Sequence, residues 1–372
     1  MHVVIAPDSF KGSITATDAA EAIAEGWGAI RPHDELHCLP MADGGEGTSN
    51  VIEASVPGTR RVATRVLSPA GPAMASWLLL PDGTAVVELA VTSGLPLLTQ
   101  PDPLGAHTFG FGQQLAVAAT HPGVRRVVAA LGGSASTDGG VGALTALGVR
   151  FLGSGPLRLP LGGSHLVDLT RVDTSRMIPP APEGVDVLVD VDAPLLGPAG
   201  SAAAFAPQKG AKPDEVRLLE RGLRTLSAVV GNDGSAPGCG AAGGTAFGLS
   251  VLWGGRLVKG SEAIARLTRL DEHAADADLV ITGEGRLDAQ SFNGKVVGRV
   301  SLAAGPSTPL WAVVGQAAPE ARSQIAEVVA LDELARSAHD AMADPARWLR
   351  QAGMHLARRA GPGSNDITRK GA

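Results

Sequence analysis

Tyrosine is missing from this chain altogether, and aromatic residues make up only 3% of its 372 positions. Stacking platforms for nucleic-acid bases therefore have almost nothing to be built from. A formal net charge of −6, with no long basic run, also argues against nucleic acid as a partner. Cysteine is nearly absent. Cys38 and Cys239 lie far apart, match no metal-ligand spacing and suit a reducing cytoplasm. Apolar runs stop at Gly, Pro or a charge well short of spanning length, and Val3-Val4-Ile5-Ala6 follows the first residues with no basic, leader-like stretch. The expectation is a soluble cytoplasmic protein with neither a membrane nor a nucleic acid as partner. What is plentiful is apolar residue, 44% against 18% charged, which is enough to bury a sizeable core. The length suggests about two domains.

The two ends of the chain read as one domain. Residues 3–6 form a strand; Thr15 with Asp18 resembles a capping box, followed by the helical stripe Ala22, Ile23, Gly26, Trp27 and Ile30 up to Pro32. A strand over 35–39 and a helix over 46–54 come next. The alternation resumes late, with strands at 278–282, 310–314 and 328–331 and helices at 294–304, 320–326, 333–341 and 345–359. Strands alternating with helices imply a parallel sheet covered on both faces, and five of them fit a doubly wound, flavodoxin-like α/β domain. The middle differs. Residues 77–80 and 85–89 flank Pro81-Asp82-Gly83 as a hairpin, 126–131 and 185–191 read as strands, and 216–229 as a helix. The expected organisation is a discontinuous domain, 1–57 with 270–372, and a second α/β domain inserted at 58–269. Residues 153–163 and 179–184 read as surface loops, and the polar tail 361–372 as frayed.

Chemistry gathers where apolar runs end. In Asp278-Leu279-Val280-Ile281-Thr282-Gly283-Glu284-Gly285-Arg286-Leu287-Asp288, a buried strand empties into glycines, carboxylates and an arginine. Asn293 then reads as a helix N-cap, with Lys295 in the first turn. A cation there opposes the helix dipole unless an anion is near, and carboxylates beside such a site suggest phosphoryl transfer. A plain turn with solvated Glu284 and Asp288 is the other reading. The same stretch half-matches G-x-G-x-x-G, but Asp288 stands where the third glycine would allow close helix packing, which weakens a nicotinamide-dependent dehydrogenase.

Four further segments share the design. Ala6-Pro7-Asp8-Ser9-Phe10-Lys11-Gly12 ends the first strand, where open α/β sheets bind ligands. Met41-Ala42-Asp43-Gly44-Gly45-Glu46-Gly47-Thr48 sets two acids among glycines at a helix start. Leu131-Gly132-Gly133-Ser134-Ala135-Ser136-Thr137-Asp138-Gly139-Gly140 makes an anion nest from amides and hydroxyls. Asp190-Val191-Asp192, with Pro207-Gln208-Lys209-Gly210 behind it, places two acids on one side of an extended segment, for which Mg²⁺ or Lys209 supplies compensation. The glycines of 238–244 read as close helix packing. No P-loop, protein-kinase set, nucleophile elbow or zinc-spaced histidines occur, so a kinase here needs another kind of phosphate cradle.

These blocks, with Ile281-Thr282-Gly283-Glu284-Gly285-Arg286-Leu287-Asp288, resemble the bacterial glycerate kinase family, in the same order from the first residues to about 360. The resemblance implies ATP-dependent phosphorylation of D-glycerate with Mg²⁺, usually to 2-phosphoglycerate, by two α/β domains with the site in the cleft between them. Ser136, Ala193 and Ala206 depart from the Thr, Asn and Gly expected there. Roles rest on chemistry. Asp8, Lys11 and Glu284 are the catalytic candidates. Ser9, Asp43, Glu46 and Arg286 are the substrate-binding set, with Lys11 and Arg286 as clamps for the carboxylate. Gly132, Gly133, Ser134, Thr137, Lys209 and Lys295 are assigned to ATP, and Asp190, Asp192 and Asp288, alongside Glu284, to Mg²⁺. A 3-phosphate product, a hydroxy-acid dehydrogenase and a non-catalytic ligand-binding regulator stand as alternatives, and a homodimer is left open.

Overall fold

A computed structural model describes residues 1–361, so the tail from 362 on lies outside the described residues. In chain order the first strands are β1 (His2–Pro7), β2 (Glu35–Cys38), β3 (Arg60–Ser68), β4 (Gly71–Leu79), β5 (Thr84–Glu88) and β6 (Arg126–Ala130). Then come β7 (Arg150–Leu152), β8 (Arg171–Asp173), β9 (Val185–Val189), β10 (Arg256–Lys259), β11 (Leu279–Leu287), β12 (Leu310–Ala317) and β13 (Glu327–Ala330). The chain divides into two compact units. One comprises Met1–Asp43, Asn50–Ser55 and the chain from Ser261 on; the other comprises Gly44–Ser49 and Val56–Gly260.

In the first unit five parallel strands run in the order β13-β12-β11-β1-β2. Counted within the unit this is 2-1-3-4-5, the doubly wound flavodoxin-like order, whose switch point falls between β1 and β11. Val3, Val4, Ile5 and Ala6 are buried on both faces, which is why β1 reads as an unbroken apolar run. One face packs under Ile23 and Trp27 of helix Ala16–Ile30 and Leu349 and Leu356 of helix Pro345–Arg359. These helices meet at glycines: a Cβ on Gly26 would lie 2.0 Å from the Arg350 carbonyl oxygen. The other face is covered by Val297, Ile325 and their neighbours. Thr15 caps the first helix, its hydroxyl accepting from the Asp18 amide at 3.1 Å.

The second unit is built on a mixed sheet, β10-β9-β6-β5-β4-β3, parallel from β10 to β5 and antiparallel beyond, with a separate β7–β8 pair. The hairpin at Pro81-Asp82-Gly83 joins β4 and β5, with the Thr84 amide donating to the Asp82 carboxylate. Its long partner β3 was not expected from the sequence.

Several boundaries shift for local reasons. The helix expected over 46–54 is Thr48–Ser55, because Gly47 is left-handed, with φ +87°. The helix expected over 333–341 is two, Leu331–Ala335 and Ala338–Ala343. Arg336 turns left-handed between them, and Ser337 caps the second by accepting from the Asp340 amide. Cys38 and Cys239 are free thiols. Among the described residues no helix is long and apolar enough to cross a membrane.

Candidate active site

The first unit assembles an acidic cluster at its switch point. Asp8 follows β1 directly, and its amide donates to the Gly283 carbonyl at 2.8 Å, extending the β1–β11 pairing by one step. Its carboxylate accepts from the Ser9 amide at 2.6 Å. Burial, and then the nearby Asp43 carboxylate, push the Asp8 carboxyl up to about 7, with Glu284 adding to the rise. Lys11 does not reverse this rise. The Lys11 side chain is 83% exposed and reaches Asp43 at only 3.9 Å, so solvent screens it and its opposing effect is outweighed.

Glu284 does not sit in a turn. β11 continues through Gly283-Glu284-Gly285-Arg286-Leu287, with Glu284 opposite Val314 and Arg286 opposite Gln316. Glycines permit this: a Cβ on Gly283 would stand 2.4 Å from the Val313 oxygen, and one on Gly315 would stand 2.3 Å from the Gly285 oxygen. A Gly-x-Gly inside a strand cannot be the strand-to-helix turn of a dinucleotide fingerprint, so the dehydrogenase reading loses its motif. Burial raises the Glu284 pKa, opposed by a hydrogen bond from Ser291 and by Lys295 and Lys11. Its Oε1 is buried and has no hydrogen-bond partner among the described residues.

Asp288, expected as a metal ligand, caps the short 3-10 turn Ala289–Phe292, accepting from the Gln290 amide at 2.9 Å. Lys295 occupies the extended N-cap position of helix Val296–Ala304 rather than its first turn, within electrostatic reach of Glu284. Arg286 is exposed on β11.

The second unit holds the remaining candidates. In 132–140, Gly133, Gly139 and Gly140 adopt φ of +76°, +63° and +75°. Ser134 accepts from the Ser136 amide at 3.2 Å, and the buried Thr137 hydroxyl has no partner among the described residues. Lys209 is buried, and its ammonium donates to the Ser136 carbonyl and, at 3.5 Å, to the Ser134 hydroxyl. Desolvation pushes its pKa down to about 8. It therefore pins this loop. Asp190 and Asp192 follow β9, and Asp192 pairs with Lys259 rather than Lys209, at 2.7 Å, because β10 runs parallel to β9 with Lys259 beside Val189. The glycines of 238–244 give close packing, as expected, but against loop backbone. A Cβ on Gly243 would be 2.1 Å from the Ser136 oxygen.

Two acids were missed by the sequence reading. Asp138, 1% exposed, accepts from the Thr108 amide and hydroxyl and from the Gly140 and Gly142 amides, at 2.8–3.1 Å. Glu88, at the end of β5, accepts from the Gly47 and Ser49 amides at 2.8 and 2.9 Å; Glu46 lies in that same loop. An acid ending an otherwise apolar strand was the available signal for Glu88.

Residues 3–360 match the profile of the glycerate kinase family. A glycerate kinase of Halalkalibacterium halodurans is 39% identical over 324 residues, covering 84% of this chain and 85% of the relative. A glycerate 2-kinase of Escherichia coli is 35% identical over 362 residues, covering 91% and 94%. A crystal structure assigned as glycerate kinase 2 from Salmonella typhimurium LT2 superposes with a TM-score of 0.80 at 32% identity, covering 97% of this chain and 98% of that one. A profile match along nearly the whole chain, joined to relatives of this identity and coverage, places the chain in the glycerate kinase family of phosphotransferases that act on an alcohol group.

Proposed function

We propose that this chain transfers the γ-phosphoryl group of ATP to the 2-hydroxyl of D-glycerate, with Mg²⁺. The observation that carries the reading is Asp8, a carboxyl held near 7 by burial and by Asp43, at the switch point of the sheet. A group poised near the operating pH suits the removal of a proton from an attacking hydroxyl, and Asp8 is assigned that part. Lys11 and Arg286, both exposed, are assigned to the substrate carboxylate, with Ser9, Asp43 and Glu46 as its hydroxyl partners. Lys295 and the loop Gly132, Gly133, Ser134 and Thr137 are assigned to the phosphates, with Lys209 holding that loop. The similarity to the glycerate 2-kinase of Escherichia coli supports the 2-position.

The donors fit a divalent cation. Carboxylates with raised pKa values and a buried, unpartnered Glu284 oxygen are the arrangement a positive ion would relieve. Among the described residues no three His, Cys, Asp or Glu form a ready-made cage. That suits Mg²⁺, which is commonly held by one or two carboxylates together with substrate phosphates. Glu284 would hold it more readily than Asp192 or Asp288, whose carboxylates serve Lys259 and the 3-10 turn. When bound, the ion neutralises charge on the phosphates.

A coupled assay of ADP release over a panel of small hydroxy acids tests the reading. Release that needs both D-glycerate and Mg²⁺ is expected. Silence with every hydroxy acid would sink it.

A further inference from the structure

We propose that Glu88 is a positioning residue, locking the loops 44–49 and 132–135 into one rigid element for phosphoryl transfer. The inference rests on the kinase reading above and adds a residue that touches no reacting atom. Glu88 ends β5, is 2% exposed and stands opposite Ala130 in the parallel pairing with β6. Its two oxygens are used separately, Oε1 by the Gly47 amide at 2.8 Å and Oε2 by the Ser49 amide at 2.9 Å. A carboxylate accepts at both oxygens at once, whereas an amide side chain offers one acceptor and one donor. The two amides open helix Thr48–Ser55, where the helix dipole also favours a negative charge.

The tie reaches the second loop through backbone. The Gly132 amide donates to the Gly44 carbonyl at 3.1 Å, and a Cβ on Gly132 would fall 2.2 Å from the Gly45 Cα. The Gly133 carbonyl accepts from the Leu95 amide at 2.9 Å and the Ala135 amide donates to the Ser93 carbonyl at 2.9 Å, so the second loop is also anchored just beyond β5. One buried side chain thus sets the position of loop 44–49, which follows Asp43 directly in the chain and carries Glu46, against the glycines assigned to phosphate.

The test is Glu88→Gln, which keeps size and one acceptor but turns a donor toward the other amide. Hydrogen exchange should quicken at Gly47, Ser49 and Gly132 while Val86, Val87 and Val128 in the strands are unchanged. Catalytic turnover per folded molecule should fall about 10–100-fold, as misplacement of reacting groups does, with the glycerate KM little altered. A merely structural role would lower Tm and the folded fraction and leave turnover per folded molecule intact; that result, or unchanged exchange at Gly132, overturns the proposal. Should the variant not fold, Mg-ADP added to the wild-type chain decides. Protection appearing in both loops together is expected, and protection confined to one overturns the coupling. Lack of glycerate turnover by the wild-type chain would remove the kinase reading and leave the loop coupling to be judged by exchange alone.

Discussion

The amide of Asp8 donates to the carbonyl of Gly283 at 2.8 Å, so the residue after β1 is held in register beside the residue before Glu284. The sheet therefore fixes where both acids leave the backbone, and the rise in the Asp8 pKa follows from that placement together with Asp43. The acidic cluster is built into the ends of two central strands of the first unit.

Asp8→Asn keeps the acceptor for the Ser9 amide and removes the proposed base. Turnover should drop about 10²–10⁴-fold with far less change in the glycerate KM. Steady-state kinetics with both substrates varied checks this, and wild-type turnover would end the catalytic assignment.

The pH dependence has a definite sign. Asp8 is raised from 3.8 to about 7, so the folded chain binds more protons than the unfolded one between those values. Its effect on stability is therefore unfavourable and grows as pH rises from about 4 to about 7, then levels off. Asp8→Asn should raise Tm relative to wild type more at pH 8 than at pH 4. In parallel, kcat/KM of the wild type should climb as pH rises through about 7, and the variant should lack that limb.

Glu284→Gln removes a carboxylate whose buried oxygen has no partner among the described residues. The Mg²⁺ concentration for half-maximal activity should rise at least about tenfold, the lower end of what loss of even an outer-shell partner does. Tm should not fall. A Mg²⁺ titration unchanged from wild type would move the metal assignment elsewhere.

Lys209→Met tests the loop assigned to phosphate. Losing charge-assisted hydrogen bonds to Ser136 and Ser134 should raise the ATP KM about 10–100-fold, with a smaller effect on the glycerate KM. Equal effects on both would argue that Lys209 supports the fold generally.

Much of this was legible in the sequence. The unbroken apolar run of β1, the capping pair Thr15 and Asp18, and the Pro81-Asp82-Gly83 turn each act locally, and each formed as read. Gly283-Glu284-Gly285 misled, because whether glycines end a strand or let it run close to a neighbour depends on that neighbour, here Val313 and Gly315. The partner of Asp192 was equally out of reach, since Lys259 comes beside it only through the β9–β10 pairing. Glu88 holds amides 41 and 39 residues away, and Asp138, besides the nearby Gly140 and Gly142 amides, holds Thr108 30 residues away, relations that local spacing does not carry.

The central claim is that D-glycerate receives a phosphoryl group on its 2-hydroxyl. A phosphorus NMR spectrum of the product formed from ATP, Mg²⁺ and D-glycerate tests it most directly. The account predicts the resonance of 2-phosphoglycerate growing together with those of ADP; a 3-phosphoglycerate resonance, or ATP left unconsumed, would contradict it.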